Sequence, residues 1–419
     1  MQPNGAPAVR RVVVVLPTRN RAQLAARAAR SVLEAGLSEV QLLVSDNSTD
    51  ESEQRSLEAT MRTFGAESGS SHRYIRPVAP MPMVRHWAWA LEQALLRVEV
   101  SHVIYLTDRM MFKPGQLAGV LQRAHRYPGD VISYNYDTVD DVRQPVLLEQ
   151  EEWSGKLLEV SSARLLQLSS RLIHSNGLPR LLNAIVPREV LEDVARQFGS
   201  VFASISPDFC FAYRCLAVLD RILYYDKAVL IQYGMDRSNG ASYRRGVDTR
   251  DKRDFVTAIP GGVRHANAPV PSLETLTNAV VHEYCFVKAE ARSAKFPELD
   301  RFSYFGASGW DIAQMENHEQ ARRMWALLRR HGWTRTHQLV WLFGKVLVTA
   351  WRTPRRLIWL VSGRRAVQRR AFASTDEAIE FAAHSSRPPT GSLSHCWQLR
   401  AHPVEDDMRR NGGLGDVAA

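Results

Sequence analysis

The stretch that decides the fold is residues 12–21, which read VVVVLPTRNR. It begins with an unbroken run of β-branched and aliphatic side chains from Val12 to Leu16. A continuous apolar run of this length is typical of a strand that is buried on both faces, as strands in parallel sheets are. Pro17 and Thr18 end the run. We therefore predict a central strand here, with a polar turn directly after it.

Helices and strands alternate in the sequence that follows. We predict a helix from about residue 21 to 35, with Asn20 as its N-cap and Gly36 as its stop. Such alternation implies a mostly parallel sheet with right-handed crossovers, flanked by helices, so the predicted fold class is α/β. Further strands are predicted at residues 40–44, 72–76, 103–106 and 131–134, and further helices at 51–64, 83–97 and 114–125.

Polar side chains follow three of these strands. The ligand sites of parallel α/β sheets lie beyond the carboxyl ends of the strands. We therefore expect the three polar sets to meet in one place. The sets are Thr18, Arg19 and Asn20; Asp46, Asn47 and Ser48; and Thr107, Asp108 and Arg109.

The remainder of the chain has a different pattern. We predict helices at 161–172, 187–198 and 206–219, strands at 222–225 and 229–233, and mainly helices from 271 to 345. Serine, proline and glycine are frequent after residue 370, and this composition is typical of disorder. The predicted organisation is a first domain at 1–245, a mainly helical C-terminal region at 246–370 and a disordered tail at 371–419.

The composition excludes several classes of protein. Hydrophobic residues make up 45% of the 419 residues, which is enough for a substantial core. The four cysteines match no zinc-binding spacing, and so few do not suggest a disulfide framework. The apolar run at 12–16 is too short for the core of a signal peptide. We therefore expect a cytoplasmic setting.

The net charge of +10 comes from one segment near the C-terminus. Thirteen basic residues and no acidic ones lie between Glu319 and Asp376, and the rest of the chain is slightly acidic. The sequence contains no recognised nucleic-acid-binding motif, so we expect no nucleic acid partner.

Tryptophan is concentrated in the same segment. Tryptophan beside arginine suits a helix in the interface of an anionic membrane, which predicts peripheral attachment to the inner face of the cell membrane. The alternative is a helical bundle that packs on the first domain. A spanning helix needs about 20 apolar residues, and the run at 339–351 is shorter. The tryptophans are Trp325, Trp333, Trp341, Trp351 and Trp359.

Four segments together resemble family-2 glycosyltransferases with the GT-A fold. They are VVVVLPTRNR at 12–21, LLVSDNSTDES at 42–52, YLTDRMMFKPGQL at 105–117 and SPDFCFAYRCL at 206–216, and they occur in the family's order. The resemblance implies a fold that binds a nucleoside-diphosphate sugar and an inverting transfer of the sugar to a hydroxyl group. The acceptor would be a glycan or a lipid-linked molecule, and a divalent metal is usual.

The resemblance assigns Asp46 to recognition of the nucleotide base, because a carboxylate there can accept the N–H groups of the base. The alternative is that Asp46 only caps the helix that follows. The residues that would shape the same pocket are Thr18, Asn20, Asn47 and Ser48, and Arg19 would approach a phosphate or stay at the surface.

The resemblance also places Asp108 in the family's short acidic motif, where carboxylates hold a divalent cation on the diphosphate. Arg109 departs from the pattern, because an acidic metal ligand is expected at its position. Two interpretations stay open. Asp108 alone holds Mg²⁺ or Mn²⁺, or the guanidinium of Arg109 replaces the metal.

Asp208 follows Pro207 at a predicted helix start, at the family's position for the general base. An inverting transfer is a single displacement, so one carboxylate must remove the proton of the attacking hydroxyl group. The alternative is that Asp208 only caps the helix.

Two loops are further candidates. The polar, glycine-rich segment 234–246 contains Arg244 and Arg245, which would contact the diphosphate if this loop closes over it. The segment HSNG at 174–177 would contribute to an acceptor pocket. An ordinary exposed turn explains either segment as well.

The predicted function is an inverting glycosyltransferase of surface polysaccharide or glycolipid synthesis. A catalytically silent protein of the same fold is one alternative, and Arg109 is the reason for it. A nucleotidyltransferase is another, although PTRN at 17–20 lacks the glycine-rich signature expected there.

Overall fold

The computed structural model describes residues 11–68, 71–173, 177–259, 261–352, 367–385 and 398–404. Its central strand is β1 (Arg11–Thr18). Val13 and Val15 enter one hydrophobic cluster, and Val12 and Val14 enter another. Successive side chains of a strand point to opposite faces, so β1 is buried on both sides, as predicted.

The first part of the chain alternates between strands and helices. The strands β1, β2 and β3 are parallel neighbours, and β4 lies parallel on the other side of β1. The elements after β1 are α1 (Ala22–Leu33), β2 (Val40–Asp46), α2 (Glu51–Ser68), β3 (His72–Ile75), α3 (Met83–Leu95), β4 (Val100–Tyr105), β5 (Met110–Phe112) and α4 (Gln116–Arg126).

The middle of the chain extends the sheet beyond β4. Its elements are β6 (Ile132–Asp140), β7 (Val146–Glu151), β8 (Leu157–Ser161), α5 (Ser162–Ser170), β9 (Ala184–Pro187), α6 (Arg188–Phe198), α7 (Pro207–Val218) and β10 (Arg221–Gln232). β9 is antiparallel to both β4 and β6, and β10 is parallel to β6. The two strands predicted at 222–225 and 229–233 form the single strand β10, whose register with β6 shifts between Tyr224 and Leu230.

The C-terminal part is mainly helical, as predicted. A 3-10 turn at Met235–Arg237 precedes α8 (Asn239–Arg245), α9 (Arg250–Thr257), α10 (Leu276–Ala291), α11 (Arg301–Ala313), α12 (His318–Arg330) and α13 (Arg335–Arg352). The predicted α/β class is confirmed: a parallel central sheet is flanked by helices and followed by a helical region.

The predicted disorder after residue 370 is wrong for residues 371–385. They belong to β11 (Val367–Phe372) and α14 (Thr375–His384), and β11 pairs antiparallel with β7. Ala378, Ile379 and Ala382 are buried with side chains of the sheet. The composition of the tail predicts disorder, but this segment is ordered because it covers an edge of the sheet. The last described strand is β12 (His402–Pro403), which pairs with β8.

Asn20 does not cap α1, contrary to the prediction. Its backbone φ is 54°, and its side-chain oxygen accepts hydrogen bonds from the backbone N–H groups of Thr49 (2.8 Å) and Asp50 (3.0 Å). The N–H of Ala22 instead donates to Glu53 Oε2 (2.7 Å). Asn20 therefore joins the loops after β1 and β2, a contact between segments distant in sequence.

The tryptophans of the helical region pack inside it. Trp333 is buried in a cluster of apolar side chains, and Trp325 and Trp341 pack against the same cluster. Trp341 lies against Gly306, where a side chain would leave no room for its ring. The side chains of Trp351 and Trp359 lie outside the described residues. The first three tryptophans therefore pack within the helical region.

Among the helices of the described segments, none combines the length and the apolar character needed to cross a membrane.

Candidate functional site

A cavity of about 680 Å³ lies at the carboxyl ends of β1, β2 and β4. These strands deliver Thr18, Asn47 and Asp108 to its wall. The start of α7 delivers Asp208, and α8 delivers Arg244. Segments separated by more than 200 residues therefore meet at the sheet edge where the sequence predicts a ligand site.

Asp108 is buried, and both of its carboxylate oxygens accept hydrogen bonds. Thr18 Oγ1 donates to Oδ2 (2.9 Å), and Arg21 Nη1 donates to Oδ1 (3.3 Å). Burial acts to lower the pKa of Arg21, but the charges of Asp108 and Asp251 outweigh it and raise that pKa. Arg21 therefore stays a cation beside Asp108.

Where the resemblance implies a metal ligand, the side chain of Asp108 is engaged by two other side chains. Hard cations take several oxygen ligands, and here each oxygen of Asp108 accepts one hydrogen bond, from Thr18 or from Arg21. In the described part of the chain, no three His, Cys, Asp or Glu side chains gather in a group suited to a metal. The positive charge beside Asp108 is supplied by a guanidinium.

Arg109 lies in the cavity wall between β4 and β5 and is half-buried. Its Nη1 lies 3.9 Å from the sulfur of Met235. Burial and the charge of Arg21 lower the pKa of Arg109, while the charges of Asp108, Asp141 and Asp251 act in the opposite direction. A guanidinium in the cavity wall can bind an oxyanion through two hydrogen bonds.

Asp46, which the resemblance assigns to the nucleotide base, is not among the residues that line this cavity. It is fully buried at the end of β2. Oδ1 accepts a hydrogen bond from the N–H of Ser48 (2.9 Å), and Oδ2 accepts one from the hydroxyl of Tyr74 (2.7 Å). The carboxylate thus stabilises the turn after β2.

Asn47 and Arg19 do reach the cavity wall. The Asn47 amide donates to the carbonyl of Met81 (2.7 Å) and accepts from its N–H (2.8 Å). Arg19 Nη1 donates to the same carbonyl (3.4 Å). Both side chains therefore hold the loop before α3 against the cavity.

Ser48 and Asn20 lie behind the wall rather than in it. Ser48 Oγ accepts a hydrogen bond from the N–H of Asn20 (2.7 Å), and both residues are buried. Their part in the site is to fix the two loops that carry Thr18 and Asn47.

Asp208 is half-buried in the cavity wall, at the first turn of α7. The side chain of Ser206, at the N-cap position, makes no capping hydrogen bond. Burial raises the pKa of Asp208, while the charge of Arg180 and backbone N–H groups act in the opposite direction. Burial has a larger effect on the pKa of Asp208 than the backbone N–H groups at the helix start, so the pKa is raised.

Arg180 lies near Asp208 and was not anticipated from the sequence. It lines the cavity, its Nη2 donates to the hydroxyl of Tyr136 (2.9 Å), and its guanidinium stacks over the rings of Tyr136 and Phe209. The segment around it has neither a strand pattern nor a family motif, so the sequence carries no signal for its position.

Glu283 of α10 supports the loop that leads to Asp208. It is fully buried, and its Oε1 accepts hydrogen bonds from the N–H groups of Ile205 (3.0 Å) and Ser206 (2.7 Å). Burial raises the pKa of Glu283 to about 8. This residue belongs to the helical region, so the predicted catalytic segment depends on contacts from outside it.

The segment 234–246, predicted as a loop, instead contains a 3-10 turn and α8; it lines one side of the cavity, and its two arginines differ. Arg244 is in the wall. Arg245 instead forms an ion pair with Glu316 (Nη2 to Oε2, 3.0 Å) and does not reach the cavity. Of the predicted segment 174–177, only Gly177 belongs to the described residues, and its carbonyl accepts a hydrogen bond from Ser133 (2.9 Å).

Comparisons with known proteins give a limited picture. No family model matches the sequence, and no curated protein matches it. Among solved structures, TarS 1–349 of S. aureus is similar, with 15% identity, a TM-score of 0.43, and coverage of 80% of this chain and 92% of that one. Two complexes of the same fragment give the same coverage: one with UDP-GlcNAc (14%, TM-score 0.43) and one with UDP (15%, TM-score 0.42). Similarity at this level identifies no activity or substrate for the present chain.

Proposed function

We propose that this chain is an inverting glycosyltransferase that moves a sugar from a nucleoside-diphosphate sugar to a hydroxyl group of a glycan or a lipid-linked acceptor. The observation that carries the proposal is that Asp108 and Asp208 line one cavity together with Thr18 and Arg109. In the sequence, these residues belong to three of the four segments that resemble family-2 glycosyltransferases. Surface polysaccharide or glycolipid synthesis is the setting in which we place the reaction.

Asp208 is the proposed general base. An acceptor hydroxyl group attacks the anomeric carbon while the carboxylate takes its proton, and the bond to the nucleoside diphosphate breaks. A raised pKa makes the carboxylate a stronger proton acceptor than a solvated one, and burial supplies this change. The charge of Arg180 opposes this rise in the pKa and favours the ionised carboxylate.

The nucleotide would bind toward the strand ends. We propose that Asn47, rather than Asp46, faces the nucleoside, because Asn47 is in the wall and Asp46 is not. Arg109 and Arg244 are the proposed phosphate contacts, since both line the cavity. A guanidinium can bind a phosphate through two hydrogen bonds and can offset charge that develops on the departing diphosphate.

We propose that an arginine side chain takes the place of the metal, because the charged group that contacts Asp108 is the guanidinium of Arg21. Asp108 then acts by orienting Thr18 and Arg21. If so, activity persists in excess chelator, whereas a metal held by Asp108 predicts that chelation abolishes it. Restoration of activity by added Mg²⁺ or Mn²⁺ would contradict the arginine alternative.

A thermal-shift screen of nucleoside diphosphates tests the nucleotide assignment first. A ligand at 100 times its Kd stabilises the folded state by about 2.7 kcal/mol. We expect one base to shift the melting temperature more than the others. Hydrolysis of the matching sugar nucleotides then tests for transfer to water. No shift with any nucleoside diphosphate would contradict the proposal.

A catalytically silent sugar-nucleotide-binding protein is the second candidate. The observation that favours it is that both oxygens of Asp108 accept hydrogen bonds from side chains of this chain. This candidate predicts binding in the thermal-shift screen with no turnover of any sugar nucleotide, with or without metal. A nucleotidyltransferase would instead release pyrophosphate from a nucleoside triphosphate.

A further inference from the structure

An apolar part of the cavity wall lies beside the loop that leads to Asp208. We call it the apolar lobe, and the residues that define it all line the cavity: Ile205, Val263, His265, Leu276 and Val280. Among the described residues from 255 to 280, every side chain in the wall except His265 is apolar. This part of the wall does not suit a phosphate group, because a charge among apolar side chains loses its hydration.

Helix α10 connects the apolar lobe with the proposed general base. Leu276, Val280 and Glu283 are four and three positions apart, so they lie on one face of the helix. Glu283 accepts a hydrogen bond from the N–H of Ile205 (3.0 Å), and the charge of Asp208 acts on its pKa. The lobe therefore adjoins the place of the acceptor hydroxyl group, away from the strand ends where we place the nucleotide.

The apolar side chains of the lobe are not part of the hydrophobic core. The described residues form four hydrophobic clusters, and none of these includes Ile205, Val263, Leu276 or Val280. The first three of these side chains are partly exposed. Apolar surface in the wall of a cavity favours a ligand that covers it with apolar atoms, because water is then released.

His265 is the polar side chain of the lobe. It is 3% exposed, and its Nε2 has no hydrogen-bond partner among the described residues. Burial and the charge of His282 lower the pKa of His265 to about 4, while a hydrogen bond with the backbone of Leu273 acts in the opposite direction. The ring is therefore neutral near pH 7.

The same hydrogen bond fixes which nitrogen of His265 is an acceptor. A bond that raises the pKa of an imidazole is one that the ring donates. Since Nε2 has no partner in the described part of the chain, the donor is Nδ1, and Nε2 carries the lone pair. A buried acceptor without a partner costs free energy, and a hydroxyl group of a ligand would remove this cost.

We infer that the apolar lobe binds an alkyl chain of the acceptor, and that His265 Nε2 accepts a hydrogen bond from a hydroxyl group of the same molecule. The acceptor is then lipid-linked rather than a free glycan. This inference rests on the proposed function, because it takes the molecule beside Asp208 to be the acceptor. His265 acts on acceptor binding and leaves the nucleotide site unchanged.

Two glucosides that differ only in the length of the alkyl group test the lobe. Calorimetric titration of the full chain compares octyl β-glucoside, kept below its micelle concentration, with methyl β-glucoside. We expect the octyl compound to bind at least about tenfold more tightly, because burial of about two methylene groups suffices for that factor. Equal binding of the two compounds, or no binding of octyl glucoside, overturns the inference.

Val263→Ser locates the binding of the alkyl chain. Val263 is partly exposed and lies outside the helices and strands, so we expect the variant to fold. It should bind octyl glucoside about three- to tenfold less tightly than the wild type, because apolar surface is lost. Val78→Ser is the matched control at an exposed position that does not line the cavity, and it should bind as the wild type does. Equal affinities of the two variants would place the alkyl chain elsewhere and overturn the inference.

Two substitutions of His265 test the hydrogen bond. His265→Phe keeps a ring but removes Nε2, so it should weaken the binding of octyl glucoside by about two- to tenfold. His265→Gln keeps an oxygen that can accept at a similar reach and should restore most of the affinity. Wild-type affinity in His265→Phe overturns the role of His265.

Nucleoside diphosphate binding separates this inference from the proposed function. The nucleoside diphosphate that the thermal-shift screen selects should bind the wild type, Val263→Ser and both His265 variants alike. If it does so while the two glucosides bind the wild type equally, the inference fails and the proposed function stands. If no nucleoside diphosphate binds the wild type, the proposed function itself fails.

Discussion

Asp208 shows how a single residue acquires chemistry from its surroundings. It lies at the start of α7, where backbone N–H groups favour a carboxylate, yet burial raises its pKa. Glu283 holds the two residues before Pro207, and Arg180 supplies the nearest opposing charge. On a solvated helix the same aspartate would only cap the helix, because burial would not raise its pKa.

We predict that Asp208→Asn lowers the rate of sugar transfer by about 10²–10⁴-fold, the usual contribution of a general base. Nucleoside diphosphate binding should persist, because the base acts on the acceptor. Initial rates and calorimetric titration measure the two effects. Asp220→Asn, at an exposed position just after the same helix, is the control and should keep wild-type turnover. Near-normal transfer by Asp208→Asn would remove the assignment.

Glu283 gives a prediction about stability and pH. Its ordinary pKa is 4.5, and burial raises it to about 8 in the folded protein. Between these values the folded state holds a proton that the unfolded state has lost. The free energy of unfolding contributed by this group therefore falls as pH rises, by about 1.4 kcal/mol per pH unit.

In the variant Glu283→Gln this dependence is absent, and glutamine keeps an oxygen that accepts from Ile205 and Ser206. We expect the stability of the variant relative to wild type to increase between pH 5 and pH 8. Urea unfolding at several pH values measures it. A constant difference between the two proteins across this range would contradict the prediction.

At the scale of elements, β11 and α14 are ordered although the composition of this segment predicted disorder. The helix α14 covers the sheet with three buried side chains, of which Ile379 is the largest. Arg369 of β11 also reaches the cavity wall. The segment therefore contributes to both stability and the site.

We predict that Ile379→Ala lowers the free energy of unfolding by about 2–4 kcal/mol, the usual range when a buried isoleucine is truncated to alanine. The exposed neighbour Glu380→Ala should change it by less than about 0.5 kcal/mol. Chemical denaturation of the full chain measures both variants. Equal stability of the two variants would mean that α14 does not pack as described.

At the scale of the whole molecule, the structure changes the argument for membrane contact. Trp325, Trp333 and Trp341, three of the five tryptophans that suggested it, are packed in the helical region. Apolar side chains that do face outward lie on α13: Leu339, Val340 and Phe343 are exposed by 66%, 55% and 64%. They lie within the basic segment. We propose these side chains, rather than Trp325, Trp333 and Trp341, as the contact with an anionic membrane.

We expect the full chain to float with vesicles that contain anionic lipid, and to be released by high salt, because attraction to the lipid headgroups is screened. Changing Leu339, Val340 and Phe343 together to serine should abolish flotation. The control changes the exposed residues Val78, Leu96 and Val98 to serine instead. Flotation that is the same for all three proteins would contradict this surface.

The sequence by itself determined the central strands, the α/β class and the edge of the sheet at which the site lies. These features follow from local patterns: runs of apolar residues, turn residues after them, and the rule that ligands lie beyond the carboxyl ends of parallel strands. Thr18, Asn47, Asp108 and Asp208 could be found in this way because each follows a strand or starts a helix.

Only the tertiary structure decided which of the polar residues face the cavity. Asp46 and Asn47 are adjacent, yet one is fully buried by bonds to Ser48 and Tyr74 and the other is in the wall. Arg180 and Glu283 come from segments with no motif, and their roles arise from contacts across long stretches of chain. Local patterns specify where a strand ends, but the partner that saturates a carboxylate depends on how distant segments pack.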